Sequence, residues 1–277
     1  MAAVDRKDRY DMAQDNAING PDDDLPVATI TVGAGAQQRE IALRVRSGDG
    51  RPIVWLGGFR SDMRATKARA LDAWAERHGR PLVRFDYTGH GESSGAFVNA
   101  VISTWVEDAV AVIERFADDR PILVGSSMGG WVTALAVRER FRQGHGHPAG
   151  IVLIAPALDF THDLMWEAFP AEVRAEIEQR GVWYRDTSYS PEPTPVTRAL
   201  IEDGRRNRLL TDALDLGCPV HILQGMNDPD VPYTHALKTI DRLPAKGTIL
   251  TLIKDGDHRL SRPQDIELIL RTVEAIA

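Results

Sequence analysis

Three side chains far apart in the chain have the types and settings that could together make a hydroxyl group reactive. Ser127 lies in Gly125-Ser126-Ser127-Met128-Gly129, directly behind the apolar run Pro121-Ile122-Leu123-Val124 and directly ahead of a helical stretch from Gly130 to Arg142. A serine at such a strand-turn-helix junction is forced into a sharp turn that lifts its Oγ clear of the sheet edge. Glycines on both sides remove the Cβ atoms that would block the turn. A serine hydroxyl is a weak nucleophile at neutral pH. It needs an imidazole to take its proton and a carboxylate to hold that imidazole in the right tautomer.

Eight histidines compete for the imidazole role. Groups that converge on a serine in a doubly wound sheet must also lie just past the C-terminal ends of strands. His258 meets this condition, because it follows the strand Thr248 to Ile253 through Lys254-Asp255-Gly256-Asp257. Asp228 meets it too, following Val220 to Leu223 through Gln224-Gly225-Met226-Asn227. Asp230 is the rival acid, one step from Val231-Pro232, with a cap at the next helix start as its alternative role. Asp255 and Asp257 stand too close to His258 along the chain to be its buried partner and read as solvated loop.

Charge develops on the substrate oxygen during attack, and preorganised backbone N–H donors stabilise it by about 3 kcal/mol each. The N–H of Met128, directly after the nucleophile, is the first candidate donor. The N–H of Phe59 is the second, because Gly57-Gly58 ahead of it lets the loop after Ile53 to Leu56 approach the substrate closely. A plain turn is the alternative reading of that glycine pair.

The five-letter pattern occurs a second time, as Gly91-Glu92-Ser93-Ser94-Gly95. This copy lies beyond its nearest strand, inside a run of Gly, Ser, Thr and His that reads as loop. We take it as a decoy. His90, within Gly89-His90-Gly91, reads as a solvated turn residue, with a supporting polar contact to the pocket as the alternative. His145-Gly146-His147 sits in a surface loop with no further ligand types around it, so no metal is expected. His78, His162, His221 and His235 lack motif context and read as structural.

The elements that must position these groups follow a βαβ rhythm. Strands are predicted at Ala28 to Val32, Glu40 to Arg46, Ile53 to Leu56, Leu82 to Phe85, Ile122 to Val124 and Ile151 to Ile154. Helical segments fall at Met63 to His78, Val101 to Phe116 and Gly130 to Arg142. The strands are continuous apolar runs, as expected when helices cover both faces of a mostly parallel sheet. The first two, joined through Gly33-Ala34-Gly35, suit an antiparallel start. The rhythm breaks between Asp159 and Asp215, where aromatic residues, prolines and short amphipathic pieces suggest an inserted helical cap. It resumes with Val220 to Leu223, a helix at Thr234 to Arg242, Thr248 to Ile253 and a closing helix from Pro263 to Ala277. The expected organisation is a polar arm over residues 1–26 and one α/β domain over 27–277, with the cap at about 159–215.

Composition removes several function classes. A net charge of −7 without a Lys/Arg-rich stripe argues against nucleic acid as partner. The lone cysteine, Cys218, has no thiol to pair with and enters an apolar strand, which fits a structural thiol in a reducing compartment. No apolar run is long enough to cross a bilayer, and the acid-containing first 26 residues are unlike a secretory or transit leader. These features together predict a cytoplasmic protein.

Four blocks resemble the α/β-hydrolase superfamily across Arg51 to Ala277: Leu56 to Met63, Arg84 to Ser93, Leu123 to Trp131, and the loops of Asp228 and His258. The chain order serine, acid, histidine is also the one expected of that arrangement. More narrowly, these blocks with Lys67-Ala68, Gly181-Val182-Trp183 and Asp257-His258-Arg259 resemble the branch of mitochondrial acyl-protein thioesterases (depalmitoylases) that also cleave acyl glucuronides. The resemblance implies Ser127, Asp228 and His258 as a triad, an ester or thioester substrate with an acyl chain, and no cofactor. Two alternatives remain open. One is a hydrolase of the same fold acting on another bond, such as an aminopeptidase using Glu167, Glu172 or Glu176 for a substrate amine, or a carbon–carbon hydrolase. The other is a non-catalytic relative that uses its pocket to bind a ligand.

Overall fold

The computed structural model describes residues 25–117, 120–187 and 190–276. The arm expected over residues 1–26 falls, except for its last two residues, outside the described residues.

Eight strands form one sheet. In chain order they are β1 (Ala28–Val32), β2 (Arg39–Arg46), β3 (Ile53–Leu56), β4 (Leu82–Phe85), β5 (Ile122–Ser126), β6 (Gly150–Ile154), β9 (Val220–Gly225) and β10 (Thr248–Ile253), while β7 (Val182–Thr187) and β8 (Ser190–Thr197) pair separately. Across the large sheet the order is β1-β2-β4-β3-β5-β6-β9-β10. The pairs β1–β2 and β2–β4 are antiparallel, and every later pair, from β3–β4 to β9–β10, is parallel. Among the described residues seven α-helices surround or insert into this frame: α1 (Thr66–Arg77), α2 (Ile102–Phe116), α3 (Met128–Arg142), α4 (Ala171–Arg180), α5 (Arg198–Arg206), α6 (Tyr233–Ile240) and α7 (Pro263–Ile276).

The apolar strands split their side chains between two cores, as the period of two along a strand requires. Ile53 and Trp55 pack with Leu71 and Trp74 of α1 and with Ile269 and Val273 of α7 on one face. Val54 and Leu56 pack with Trp105 and Ile113 of α2 and with Val132 and Leu135 of α3 on the other. Helices on both faces are why these strands read as unbroken apolar runs: burying each Ile, Val or Leu side chain stabilises the fold by about 1.5–3 kcal/mol.

Between β6 and β9 the chain leaves the sheet. A wide helical turn, Thr161–Trp166, leads through α4 into the β7–β8 hairpin and then α5. The hairpin departs from the expected purely helical insertion. Pro195 stands opposite Tyr184, and Pro193 falls in the register irregularity between the Arg185–Thr194 and Thr187–Ser190 pairs, a place that tolerates a residue without an N–H. Thr197 then caps α5, its Oγ1 accepting from the N–H of Leu200 at 3.0 Å. The insertion is tied to the main body by Asp203 of α5, whose carboxylate accepts from the N–H (2.8 Å) and Oγ–H (2.9 Å) of Ser103 at the start of α2. Phe160, Phe169, Ile177, Val196, Leu200 and Ile201 extend the larger core beneath it.

Candidate active site

Ser127 occupies the turn between β5 and α3 with φ 54° and ψ −119°, a left-handed backbone that a serine adopts only under constraint. Three backbone hydrogen bonds impose it: Ser127 N–H donates to Ile154 O at 2.9 Å, and Ser127 O accepts from Gly130 (2.9 Å) and Ala157 (3.1 Å). The turn also needs space. A Cβ on Gly129 would stand 2.1 Å from the Leu56 carbonyl oxygen and 2.5 Å from that of Gly57, so only glycine lets α3 start against the loop after β3.

The loops after β9 and β10 bring the other two groups to this serine. His258 Nδ1 is 2.7 Å from Asp228 Oδ2, and its Nε2 is 3.1 Å from Ser127 Oγ. The carboxylate can only accept, so Nδ1 carries the proton and Nε2 presents its lone pair to the hydroxyl. The Asp228 side chain is fully buried, and its charge is met by four donors. Oδ1 accepts from the N–H groups of Asp230 (2.9 Å) and Val231 (2.8 Å), while Oδ2 accepts from Gln224 Nε2 (3.1 Å) and His258. A buried carboxylate is tolerable only when satisfied in this way. Asp230, the rival acid, thus contributes its backbone to the Asp228 carboxylate.

Gln224 escaped the sequence reading. It lies inside β9, fully buried, where an amide within an apolar strand looks like the strand's end. Its Nε2 also reaches the carbonyl of Val231 at 3.0 Å, so one side chain fixes both the acid and the turn behind it. Lys67, which carried part of the resemblance but no assigned role, also supports the site. From α1 its ammonium donates to the carbonyl of Arg259, the neighbour of His258. Burial lowers Lys67 to about 8, and attraction to Asp257 and Asp228 works against that fall.

The loop carrying the second candidate N–H donor lies on the serine. A Cβ on Gly58 would stand 3.3 Å from Ser127 Cβ and 3.9 Å from its Oγ, so this glycine holds the approach open. Among the described residues neither the N–H of Phe59 nor that of Met128 meets a hydrogen-bond acceptor. Two unengaged backbone donors beside a serine hydroxyl can hold negative charge.

The remaining candidates resolve into structural roles. Asp255 forks onto Arg262 (2.7 and 3.2 Å), and Asp257 accepts from the N–H of Leu260 at 2.9 Å. Ser93 and Ser94 of the second five-letter copy spend their hydroxyls on backbone: Ser93 Oγ donates to Asp86 O (2.6 Å) and accepts from Ala42 N–H (2.8 Å), while Ser94 Oγ accepts from Glu40 N–H (2.8 Å). His90 is buried rather than a solvated turn residue, because three aromatic rings close over it. His145 pairs with Glu114 at 3.3 Å, and His147 stacks on Phe141. His78 bonds the Trp74 carbonyl, His162 bonds Asp163, and His235 bonds the Leu158 carbonyl, while His221 lies on β9. Burial and nearby Asp215 push the Cys218 thiol up to about 12, away from nucleophilic use. Glu176 pairs with Arg180, Glu167 with His162, and Glu172 is exposed in the first turn of α4. Among the described residues one trio of ligand atoms lies close enough for a cation, that of Asp228, Asp230 and His258, and its Asp228 oxygens already hold four donors.

A mostly parallel sheet, a serine turn after β5, and an acid and a histidine on the loops after β9 and β10 are the hallmarks of one class. The chain belongs to the alpha/beta hydrolase family, whose model matches residues 30–267. Within it, the chain is 31% identical over 235 residues to human palmitoyl-protein thioesterase ABHD10, a mitochondrial protein, covering 84% of this chain and 75% of the relative. The fold matches that of mouse ABHD10 with a TM-score of 0.79 at 28% identity, covering 90% of this chain and 98% of the other. A putative hydrolase from Agrobacterium vitis S4 matches with a TM-score of 0.87 at 50% identity over 90% and 98% of the two chains. The resemblance read from the four sequence blocks therefore extends over most of the chain. No helix of the described residues is long and apolar enough to cross a membrane.

Proposed function

We propose that this protein is a serine hydrolase that opens carboxylic esters or thioesters through an acyl-enzyme, with Ser127 as nucleophile, His258 as general base and acid, and Asp228 as the group that orients the imidazole. One observation carries the reading: His258 bridges Asp228 and Ser127 with hydrogen bonds of 2.7 and 3.1 Å. Thioesterase relatives support an acyl substrate.

Ser127 Oγ attacks the acyl carbonyl carbon as His258 Nε2 takes the hydroxyl proton. Asp228 offsets the positive charge of the imidazolium. The carbonyl oxygen becomes an oxyanion, held by the N–H groups of Met128 and Phe59. As the tetrahedral adduct collapses, the bond to the leaving oxygen or sulfur breaks, and His258 returns its proton to that atom. A water molecule then repeats the sequence on the acyl-serine, giving the free acid and restoring the hydroxyl. No step requires a cofactor.

Residues 159–215 serve as the cap over this site, within a single domain running from residue 27 to 277. Phe160 of the cap meets the Phe59 ring at 5.4 Å and the Trp131 ring at 5.6 Å, so the cap joins the body through an aromatic contact that includes the second candidate donor residue.

The test is Ser127→Ala. Hydrolysis of p-nitrophenyl acyl esters and acyl thioesters should vanish together with labelling by a fluorophosphonate, while the melting temperature stays within a few degrees. Turnover at the wild-type rate in that variant would refute the proposal.

A further inference from the structure

The segment from Asp86 to Gly95 contains the second five-letter copy and takes no part in the chemistry proposed above, yet it grips the loop that bears Phe59. Asp86 Oδ1 accepts from the N–H of Met63 at 2.6 Å, and its Oδ2 accepts from Glu92 N–H at 2.8 Å. Glu92 is held in turn by Arg44 in a two-pronged ion pair of 2.9 and 3.0 Å. Closer to the site, His90 Nε2 lies 3.2 Å from the backbone N of Arg60, the residue after Phe59.

The direction of that contact follows from the other ring nitrogen. His90 Nδ1 is 3.2 Å from the Thr88 carbonyl, which can only accept, so Nδ1 carries the proton and Nε2 is left as an acceptor for the Arg60 N–H. The ring is 5% exposed and walled by Tyr87, Phe97 and Trp105. Phe97 and Trp105 also pack edge-on against Phe59, and the Arg60 guanidinium lies 5.0 Å over Phe97. Arg60 itself has φ 59°, a left-handed conformation that a non-glycine residue adopts only under constraint. Something must hold such a residue, and the His90 acceptor is its backbone partner.

We propose that His90 is a positioning residue for the oxyanion site: by accepting the Arg60 N–H it locks the strained peptide that follows Phe59, and so aims the Phe59 N–H at the oxygen that gains charge. This rests on the hydrolase reading above. It accounts for an imidazole buried directly before the second copy without giving that imidazole any proton to transfer.

The experiment compares His90→Phe, which keeps ring packing but has no acceptor, with His90→Gln, whose Oε1 can occupy the place of Nε2. The Phe variant should lose about 10- to 100-fold in kcat, less than deleting a donor outright, with KM within two-fold. Its inhibition constant for an acyl trifluoromethyl ketone, which forms the oxyanion adduct, should rise by the same factor as kcat/KM falls. The Gln variant should regain most of both. Should His90→Phe fail to fold, His90→Asn decides, since it keeps a donor for Thr88 but is too short to reach Arg60. Folded variants lacking the acceptor that retain wild-type kcat and ketone affinity overturn the proposal. So does a loss that the Gln variant does not restore. An inactive wild-type protein, or one indifferent to Ser127→Ala, would instead overturn the hydrolase reading.

Discussion

The molecule carries the same five-letter pattern at two places, and the two copies do opposite things with their serines. In Gly125–Gly129 the serine stands in a left-handed turn, fixed by backbone bonds, and its hydroxyl points to an imidazole. In Gly91–Gly95 both serine hydroxyls are consumed by backbone groups of β2 and Asp86, and no imidazole takes their protons. The difference comes from what precedes each copy. The first follows a four-residue apolar run inside the sheet and opens a helix, so the turn is over-determined by the ladder on one side and α3 on the other. The second follows a strand end by several residues and folds back on β2 beyond the end of β4, where a hydroxyl is worth more as a latch than as a nucleophile. A motif is chemistry only when the elements on both sides strain it into place.

Substitutions at the two copies break this comparison most directly. Ser127→Ala should reduce kcat about 10⁴-fold or more while leaving stability almost unchanged, because little but a hydrogen bond to His258 is lost. Asp228→Asn should follow at about 10³- to 10⁴-fold, since an amide facing Nδ1 favours the tautomer that cannot accept the serine proton. Single-turnover acylation with an activated ester measures both. Equal kcat in Asp228→Asn and wild type would remove the acid from the mechanism.

Much of the frame was legible in the sequence, for a physical reason. The strands β3 and β4 fall at the residues their apolar runs predict, because helices on both faces demand continuous apolar strands there. The serine, acid and histidine were legible because each lies just past a strand end, a position set by topology. What escaped depends on packing between distant segments. His90 reads as a solvated turn because glycines flank it, and only Phe97 and Trp105, brought over by the chain that follows, bury it. Gln224 looks like the close of an apolar strand until the acid loop folds back onto it. The β7–β8 hairpin hides behind prolines that argue against a strand, although edge strands and bulges tolerate them.

A smaller effect sharpens the contrast from the other side. Ser93→Ala should leave kcat within about three-fold and cost about 1–3 kcal/mol of stability in a urea titration, because the N–H of buried Ala42 loses its acceptor. A stable Ser93→Ala protein with strongly reduced kcat would mean that the second copy takes part in the chemistry and is no latch.

The finest test uses pH and the histidine of the same segment. Burial pushes His90 down from 6.5 to about 4, so the folded protein holds this ring neutral where the unfolded chain would bind a proton. A depressed histidine stabilises nothing as pH rises above 6.5. As pH falls from 6.5 towards 4 the unfolded state takes up the proton first, and stability declines through that window by roughly 3 kcal/mol at most. His90→Gln has no such group. Its unfolding free energy, measured beside the wild type between pH 7 and 4.5, should fall less steeply, and the two curves should converge or cross on the acid side. Parallel curves would show that His90 is solvated enough to titrate normally, and the buried clamp on Arg60 would then lose its footing while the Ser127 copy kept its own.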